Sequence, residues 1–478
     1  MIRFSVTKTI LRGLLPLFAM LLVGEAPAHR EPPFPAPRTL GPVERYGRRI
    51  QRTMARLAES TPQRRNTVRI LFYGQSITEQ AWTKLVAEDL RRRFPHANLV
   101  IENRAIGGHS SPRILRTMEA DLFPFAPDLV IFHVYGDDGD YERIIRAIRE
   151  RTTAEIMIQT DHLRRGDDPA KEETDPARIV RKGAMWDSWM NYVFLPRIAR
   201  EYGAELVDQR ELWKAYLRDH DLVPGQLLSD DVHLNDHGNY LMAEIVKAWL
   251  RYDPKLVADV DAGAVTTHRI GRDVRWKDGR LTLPFDGNRV DAILRPGPSR
   301  SVAVRIDGKP PSAFPSLYAF TRATHYPQST WPTLLRVQAG APLQIEDWTL
   351  TLTALSDDHK TVRFALAGSK TGPDGEGVST ERFVSRSGRI ILDPGDWNLD
   401  YCLRVFKRPI APGFRIDWRV VPLFADEIAA PGPVDPAIET LLPLAQGLSN
   451  GPHTLELVGD SGAPLAAIRV HRPARRRD

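Results

Sequence analysis

The 478 residues carry a formal charge of +6, with 26% charged and 42% hydrophobic residues and a single cysteine, Cys402. A chain this long exceeds one typical domain of roughly 100–200 residues, so two are expected. One cysteine excludes an internal disulfide framework, and a weak basicity spread over many Arg and Asp/Glu mixtures, with no supporting motif, argues against nucleic-acid binding.

Arg3, Lys8 and Arg12 precede an apolar run, Leu14 to Val23, which ends near Ala26-Pro27-Ala28. This is the pattern of a secretory signal peptide over residues 1–28, and it predicts export to a periplasmic or extracellular location. The apolar run is shorter than the ~20 residues that span a bilayer, so no stable membrane insertion is expected. Its removal takes away three positive charges and Glu25, lowering +6 to about +4. Residues 29–41 are proline-rich and read as an extended tether. Val43 to Ala58 has helical spacing, which makes residues 29–67 a tether plus helix.

From Val68, strands and helices alternate. Val68 to Tyr73 is a compact apolar strand broken by Gly74, followed by Gln75-Ser76 and a helical stretch from Gln80 to Arg93. Leu99 to Glu102, Asp128 to Val134, Glu155 to Gln159 and Ala204 to Asp208 are four further strands. Ser111, with Pro112 behind it, reads as a helix N-cap. Helices are predicted over Tyr141–Arg151, Lys182–Tyr202, Leu212–Leu217 and Gly238–Leu250. Apolar strands separated by helices predict a parallel sheet covered on both faces, over residues 68–255.

After Asp253-Pro254 the helical period fades. Short alternating runs with turn dipeptides follow: Arg280–Leu283 after Lys277-Asp278-Gly279, Val302–Ile306 before Asp307-Gly308, then Trp348–Leu355, Thr361–Leu366, Arg389–Leu392, Phe414–Val421, His453–Val458 and Ala467–His471. Residues 256–478 therefore read as an all-β, sandwich-like domain, with long loops expected at Thr371–Gly375 and Pro431-Gly432-Pro433. Trp331, Trp348, Trp397 and Trp418 are either core residues or a sugar-stacking platform. Ala474 to Asp478 reads as a solvated tail.

Four positions fall at strand ends on one edge of the predicted sheet: Ser76, Gly108, Asp137/Asp138, and Asp230 with His233. A nucleophilic serine needs a base for its proton and a carboxylate to hold the imidazole. Asp230 and His233, three apart in a loop before a helix, can supply both. The transition state also needs donors for the developing oxyanion, which turns at Ser76 and Gly107-Gly108 can offer. Asp161-His162 reads as a loop pair or a substrate contact. His109, His162 and His233 lack short metal-ligand spacing, so neither metal nor other cofactor is expected.

The blocks Gly74-Gln75-Ser76, Asn103 to Gly108, Tyr135 to Asp138 and Asp230-x-x-His233 resemble the four signature blocks of the SGNH/GDSL hydrolases, over roughly residues 68–252. The resemblance implies a flavodoxin-like three-layer α/β/α fold and esterase, deacetylase or lipase activity. It implies Ser76 as nucleophile, His233 as base, Asp230 as its orienter and Gly108 as an oxyanion donor, with Gly107 beside it. Gly-Gln-Ser in place of Gly-Asp-Ser is similar to sialate O-acetylesterase-like members. Asp137 stands where the family has an asparagine, and an ionised carboxylate there would repel an oxyanion. The expected activity is removal of acyl groups, O-acetyl esters above all, from a glycan or other small ester. Glycan binding without hydrolysis, and acyl transfer, are the alternatives.

Overall fold

A computed structural model describes residues 33–256, 263–297, 301–325, 331–399, 401, 410–429, 435–460 and 462–474. The expected signal peptide, Cys402, the Pro431-Gly432-Pro433 loop and all of the tail but Ala474 lie outside the described residues.

Five strands form one parallel sheet: β1 (Thr67–Gly74), β2 (Asn98–Asn103), β3 (Leu129–His133), β4 (Glu155–Gln159) and β5 (Glu205–Val207), in the order β2-β1-β3-β4-β5. Alternate side chains of a strand point to opposite faces. Accordingly, Val68, Ile70 and Phe72 of β1 join Leu129 and Ile131 of β3 in one core. Leu71 and Tyr73 join Val130 and Phe132 in the other. The first core packs against α1 (Gln51–Ala58), α3 (Trp82–Arg93) and the helix Asp236–Trp249. The second packs against α4 (Ser111–Asp121), α5 (Asp138–Arg151) and the helix Leu195–Tyr202. This is the three-layer α/β/α arrangement expected from the sequence.

The N-terminal helix belongs to this core. Tyr46 stacks on Trp249 at 3.8 Å, and Ile50, Met54 and Leu57 are fully or almost fully buried. Buried Glu155 accepts the N–H groups of Arg52 and Thr53 at 2.9 and 2.7 Å, so a strand residue satisfies the first turn of α1. Ser111 departs from expectation. It lies inside α4 rather than at its cap, and its hydroxyl donates to the carbonyl of Asp137 at 2.6 Å.

The remaining strands are antiparallel and fit a β-sandwich. One sheet takes Glu427–Ile428, Val302–Ile306, Thr440–Gly459, Arg280–Leu294, Leu465–His471 and Val265–Arg269, in that order. A second sheet is built on Asp347–Leu355, Val362–Gly368 and Arg415–Pro422, and it has its own apolar core. The expected loop at Thr371–Gly375 is mostly strand, Gly372–Val378, paired with Val362–Gly368. Its sequence is glycine-rich and the pattern therefore reads as a turn, yet the neighbouring strand supplies the pairing. Trp348 and Trp418 are core residues, as Trp397 partly is.

The antiparallel part is tied to the α/β part beside α4. Arg322 donates to the buried Asp121 carboxylate and to the carbonyl of Arg104, both at 2.9 Å. Gln446 donates to the carbonyl of Phe123 at 2.7 Å. Beyond these contacts, Trp331, Asn398 and Tyr401 reach the turn that follows β2.

Candidate active site

β1 ends at Gly74, where a Cβ would collide with the carbonyl oxygen of His133 on β3. The chain can pass this close only without a side chain, and it then turns into the short helix α2 (Ser76–Glu79). Ser76 is thus delivered, half-buried, to the carboxyl edge of the sheet. Its hydroxyl lies 2.9 Å from Nε2 of His233, and Nδ1 of His233 lies 2.7 Å from Oδ2 of Asp230. The three residues form one continuous hydrogen-bonded line.

The loop that presents Asp230 and His233 is held largely by itself. Oδ1 of Asp230 accepts the N–H groups of Val232 and His233 at 2.8 and 2.7 Å, which leaves Oδ2 for the imidazole. Those two N–H groups, with the imidazole, hold the Asp230 carboxyl well below the usual carboxylate range. Ser229 closes the loop through bonds to the carbonyl of His233. The pair is solvent-accessible, with side chains 57% and 37% exposed, so its geometry comes from these local bonds rather than from burial.

Two residues outside the sequence motifs anchor this loop. The Gln80 side chain binds both backbone groups of Leu234, its Nε2 donating to the carbonyl and its Oε1 accepting the N–H, each at 3.0 Å. On the other side, Nε2 of His162 donates to the carbonyl of Val232 at 2.7 Å. Burial pushes the His162 imidazole down to about 4, so it is neutral at ordinary pH and acts as a fixed donor. Asp161 pairs with His133 at 3.0 Å and takes its own N–H to Asn191. The Asp161-His162 pair is therefore a buried loop pair, with one member bracing the residue before His233. Among the described residues, no cluster of His, Cys, Asp and Glu could hold a metal ion.

The turn after β2 lies against the serine. Asn103 accepts the N–H of Ala105 at 3.0 Å and donates to the carbonyl of Thr78 at 2.6 Å, which ties the turn to α2. A Cβ built on Gly107 would sit 3.6 Å from Cβ of Ser76 and would meet the Glu79 carboxylate. Gly108 has φ +67°, and a Cβ there would overlap the hydroxyl of Tyr401 from the antiparallel part. The backbone N–H groups of Ser76, Gly107 and Gly108 have no acceptor among the described residues. Donors of this kind, grouped beside a serine, are what a developing oxyanion needs.

Asp137 has a different occupation. One oxygen of its carboxylate accepts the N–H of Asp140 at 2.9 Å, so it caps α5, and the residue is exposed. Asp138 pairs with Arg181. Of the four tryptophans singled out, Trp331 alone is placed by this turn: it stacks on Tyr401 at 4.9 Å and meets His109 edge-on at 5.0 Å.

Residues 72–241 match the family model described as GDSL-like Lipase/Acylhydrolase family. The chain carries a GDSL-like acylhydrolase domain. The domain class is one of carboxylic ester hydrolases, and the matched residues span Ser76, Gly107, Gly108, Asp230 and His233. Among solved structures, the chain is similar to a putative GDSL-like lipase from Parabacteroides merdae, at 18% identity and TM-score 0.33, over 40% of this chain and 100% of that one. A two-domain esterase active on acetylated mannans, co-crystallised with mannopentaose, is similar at 15% identity and TM-score 0.36, over 91% of this chain and 99% of that one. An acetylxylan esterase from Geobacillus stearothermophilus is similar at 17% identity and TM-score 0.33, over 40% and 98%. No curated protein matches the chain significantly. Among the described residues, no helix of the acylhydrolase domain or the antiparallel part is long and apolar enough to cross a membrane.

Proposed function

We propose that this protein is an exported esterase that removes small acyl groups, O-acetyl esters in particular, from a carbohydrate. The observation that carries the chemistry is the hydrogen-bonded line from Ser76 through His233 to Asp230, beside the N–H groups of Ser76, Gly107 and Gly108, which have no acceptor among the described residues. The Ser76 hydroxyl attacks the ester carbonyl carbon while Nε2 of His233 takes its proton. Asp230 holds the imidazole through Nδ1 and stabilises the imidazolium. The tetrahedral oxyanion is received by the N–H groups of Ser76, Gly107 and Gly108. His233 then returns the proton to the departing sugar oxygen, leaving Ser76 acylated. Water, deprotonated by His233, attacks the acyl carbon; the bond to Ser76 Oγ breaks, His233 returns the proton to that oxygen, and the carboxylic acid leaves.

The carbohydrate part of the reading rests on the half-buried aromatic pair Trp331 and Tyr401 beside the Gly107–Gly108 turn. Export rests on the N-terminal pattern over residues 1–28. The protein and its Ser76→Ala variant, assayed on p-nitrophenyl esters and on acetylated polysaccharides, test the reading. A loss of about 10⁴-fold or more is expected for the variant. Equal release of acid by the two proteins on every ester would overturn it.

A further inference from the structure

The Gly107–Gly108 peptide is gripped on its carbonyl side from the antiparallel part of the chain. Tyr401 donates its hydroxyl to the carbonyl of Gly107 at 3.3 Å, across a separation of 294 residues. Nδ1 of His109 lies 3.3 Å from the same oxygen. His109 is fully buried, and its Nε2 lies 3.4 Å from the amide nitrogen of Asn398. An amide nitrogen can only donate, so Nε2 is the acceptor. The proton then resides on Nδ1, which points it at Gly107. Burial keeps this imidazole neutral by pushing it down to about 4, so the tautomer is maintained at ordinary pH. Trp331 packs on both rings, face to face with Tyr401 and edge-on to His109.

A trans peptide fixes its C=O and N–H in one plane, pointing opposite ways. Whatever orients the carbonyl of Gly107 therefore orients the N–H of Gly108, which has no acceptor among the described residues. We propose that Tyr401, His109 and Asn398 are positioning residues that aim the Gly108 N–H at the oxyanion. The antiparallel part then completes the catalytic turn instead of serving only as an appended module. The absence of a side chain at Gly108 is what lets the Tyr401 hydroxyl approach. The proposal rests on the esterase reading above.

Tyr401→Phe removes only the hydroxyl and keeps the ring that stacks on Trp331. Asn398→Ala releases the tautomer of His109. Both variants are compared with the parent on p-nitrophenyl acetate, with active sites counted by a fluorophosphonate burst. Inhibition is measured with a phenylboronic acid, whose tetrahedral adduct on Ser76 mimics the oxyanion, and with acetate, which mimics product. Misaiming one oxyanion donor is expected to lower kcat per active site about 10-fold, less than the 10²–10³-fold of deleting one. KM and acetate inhibition stay within about two-fold, and boronate affinity falls in step with kcat, as differential transition-state binding requires. Unchanged kcat per titrated site and unchanged boronate affinity in both variants overturn the proposal, including where thermal stability has dropped. Hydrolysis surviving in Ser76→Ala would instead remove the esterase reading itself.

Discussion

The two sides of the candidate site are held in place by different means. The side with Asp230 and His233 is exposed and braced from within the α/β part, by its own loop bonds and by Gln80 and His162. The side with Gly107 and Gly108 is a turn pressed between Ser76 and the antiparallel part, with Tyr401 on its outer face. Local hydrogen bonds are enough to shape a base and its orienter, because the three-residue spacing brings the carboxylate to the ring. Gly107 and Gly108 carry no side chains, so the orientation of the peptide between them must be supplied by neighbouring residues.

The largest effects are expected on the exposed side. His233→Ala is expected to lower kcat about 10⁴-fold, and Asp230→Asn about 10²-fold, since Asp230 is open to water that can partly replace it. Stopped assays on p-nitrophenyl acetate, with fluorophosphonate labelling, read both. Equal losses for the two variants would mean that water does not replace Asp230 in holding the imidazole tautomer. Gly108→Ala tests the other side. Its φ of +67° and the overlap with Tyr401 are expected to cost about 2 kcal/mol of stability, and kcat is expected to fall about 10²-fold. Unchanged melting and activity would show that the turn can relax away from Tyr401.

How much of this was legible in the sequence follows from the range of each contact. Ser76 was legible because an apolar strand, a glycine and a turn are contiguous, and Asp230-x-x-His233 because three residues of spacing is local. The near-continuous apolar run from Val68 to Tyr73, which the structure divides between two cores, made the covered sheet legible too. Asp161-His162 was legible as a loop pair, but the grips of Gln80 on Leu234 and of His162 on Val232 were not, because they reach backbone groups 154 and 70 residues away, which carry no side-chain signature. Tyr401 lies further still, and nothing in its own segment's period points to a turn after β2. Glycine-rich Gly372–Val378 misled for the opposite reason: its local pattern is that of a turn, and the pairing that makes it a strand comes from the neighbouring strand.

The buried histidines on the two sides give a weaker, shared effect. His109 and His162 are each pushed from 6.5 down to about 4 by burial. Between those values the unfolded chain binds more protons than the folded one. Stability is therefore expected to fall as pH drops from about 6.5 towards 4 and to be retained above it. At ~1.4 kcal/mol per unit, each buried ring contributes at most about 3 kcal/mol to that fall. Urea unfolding at pH 7.5 and 4.5 measures it, provided that folding is reversible. His162→Gln keeps an amide donor for the carbonyl of Val232 without a titrating ring, so it should flatten the acid loss by one ring's share. A slope identical to the parent's would show that His162 does not stay buried and neutral.

The smallest effect is expected at Asp137, and it sharpens the contrast between the two sides. An aspartate in place of the family's asparagine would oppose an oxyanion if its carboxylate faced the serine. Here that carboxylate accepts the N–H of Asp140 and caps α5. Asparagine is as good an N-cap as aspartate, so Asp137→Asn should leave stability within about 0.5 kcal/mol, whereas Asp137→Ala should lose about 1 kcal/mol. If capping is its whole role, Asp137→Asn should also leave kcat within about two-fold. A rise of 10-fold or more would mean that the amide had gained access to the oxyanion and that the carboxylate had been opposing it. The oxyanion side would then be under the control of α5 as well as of Tyr401.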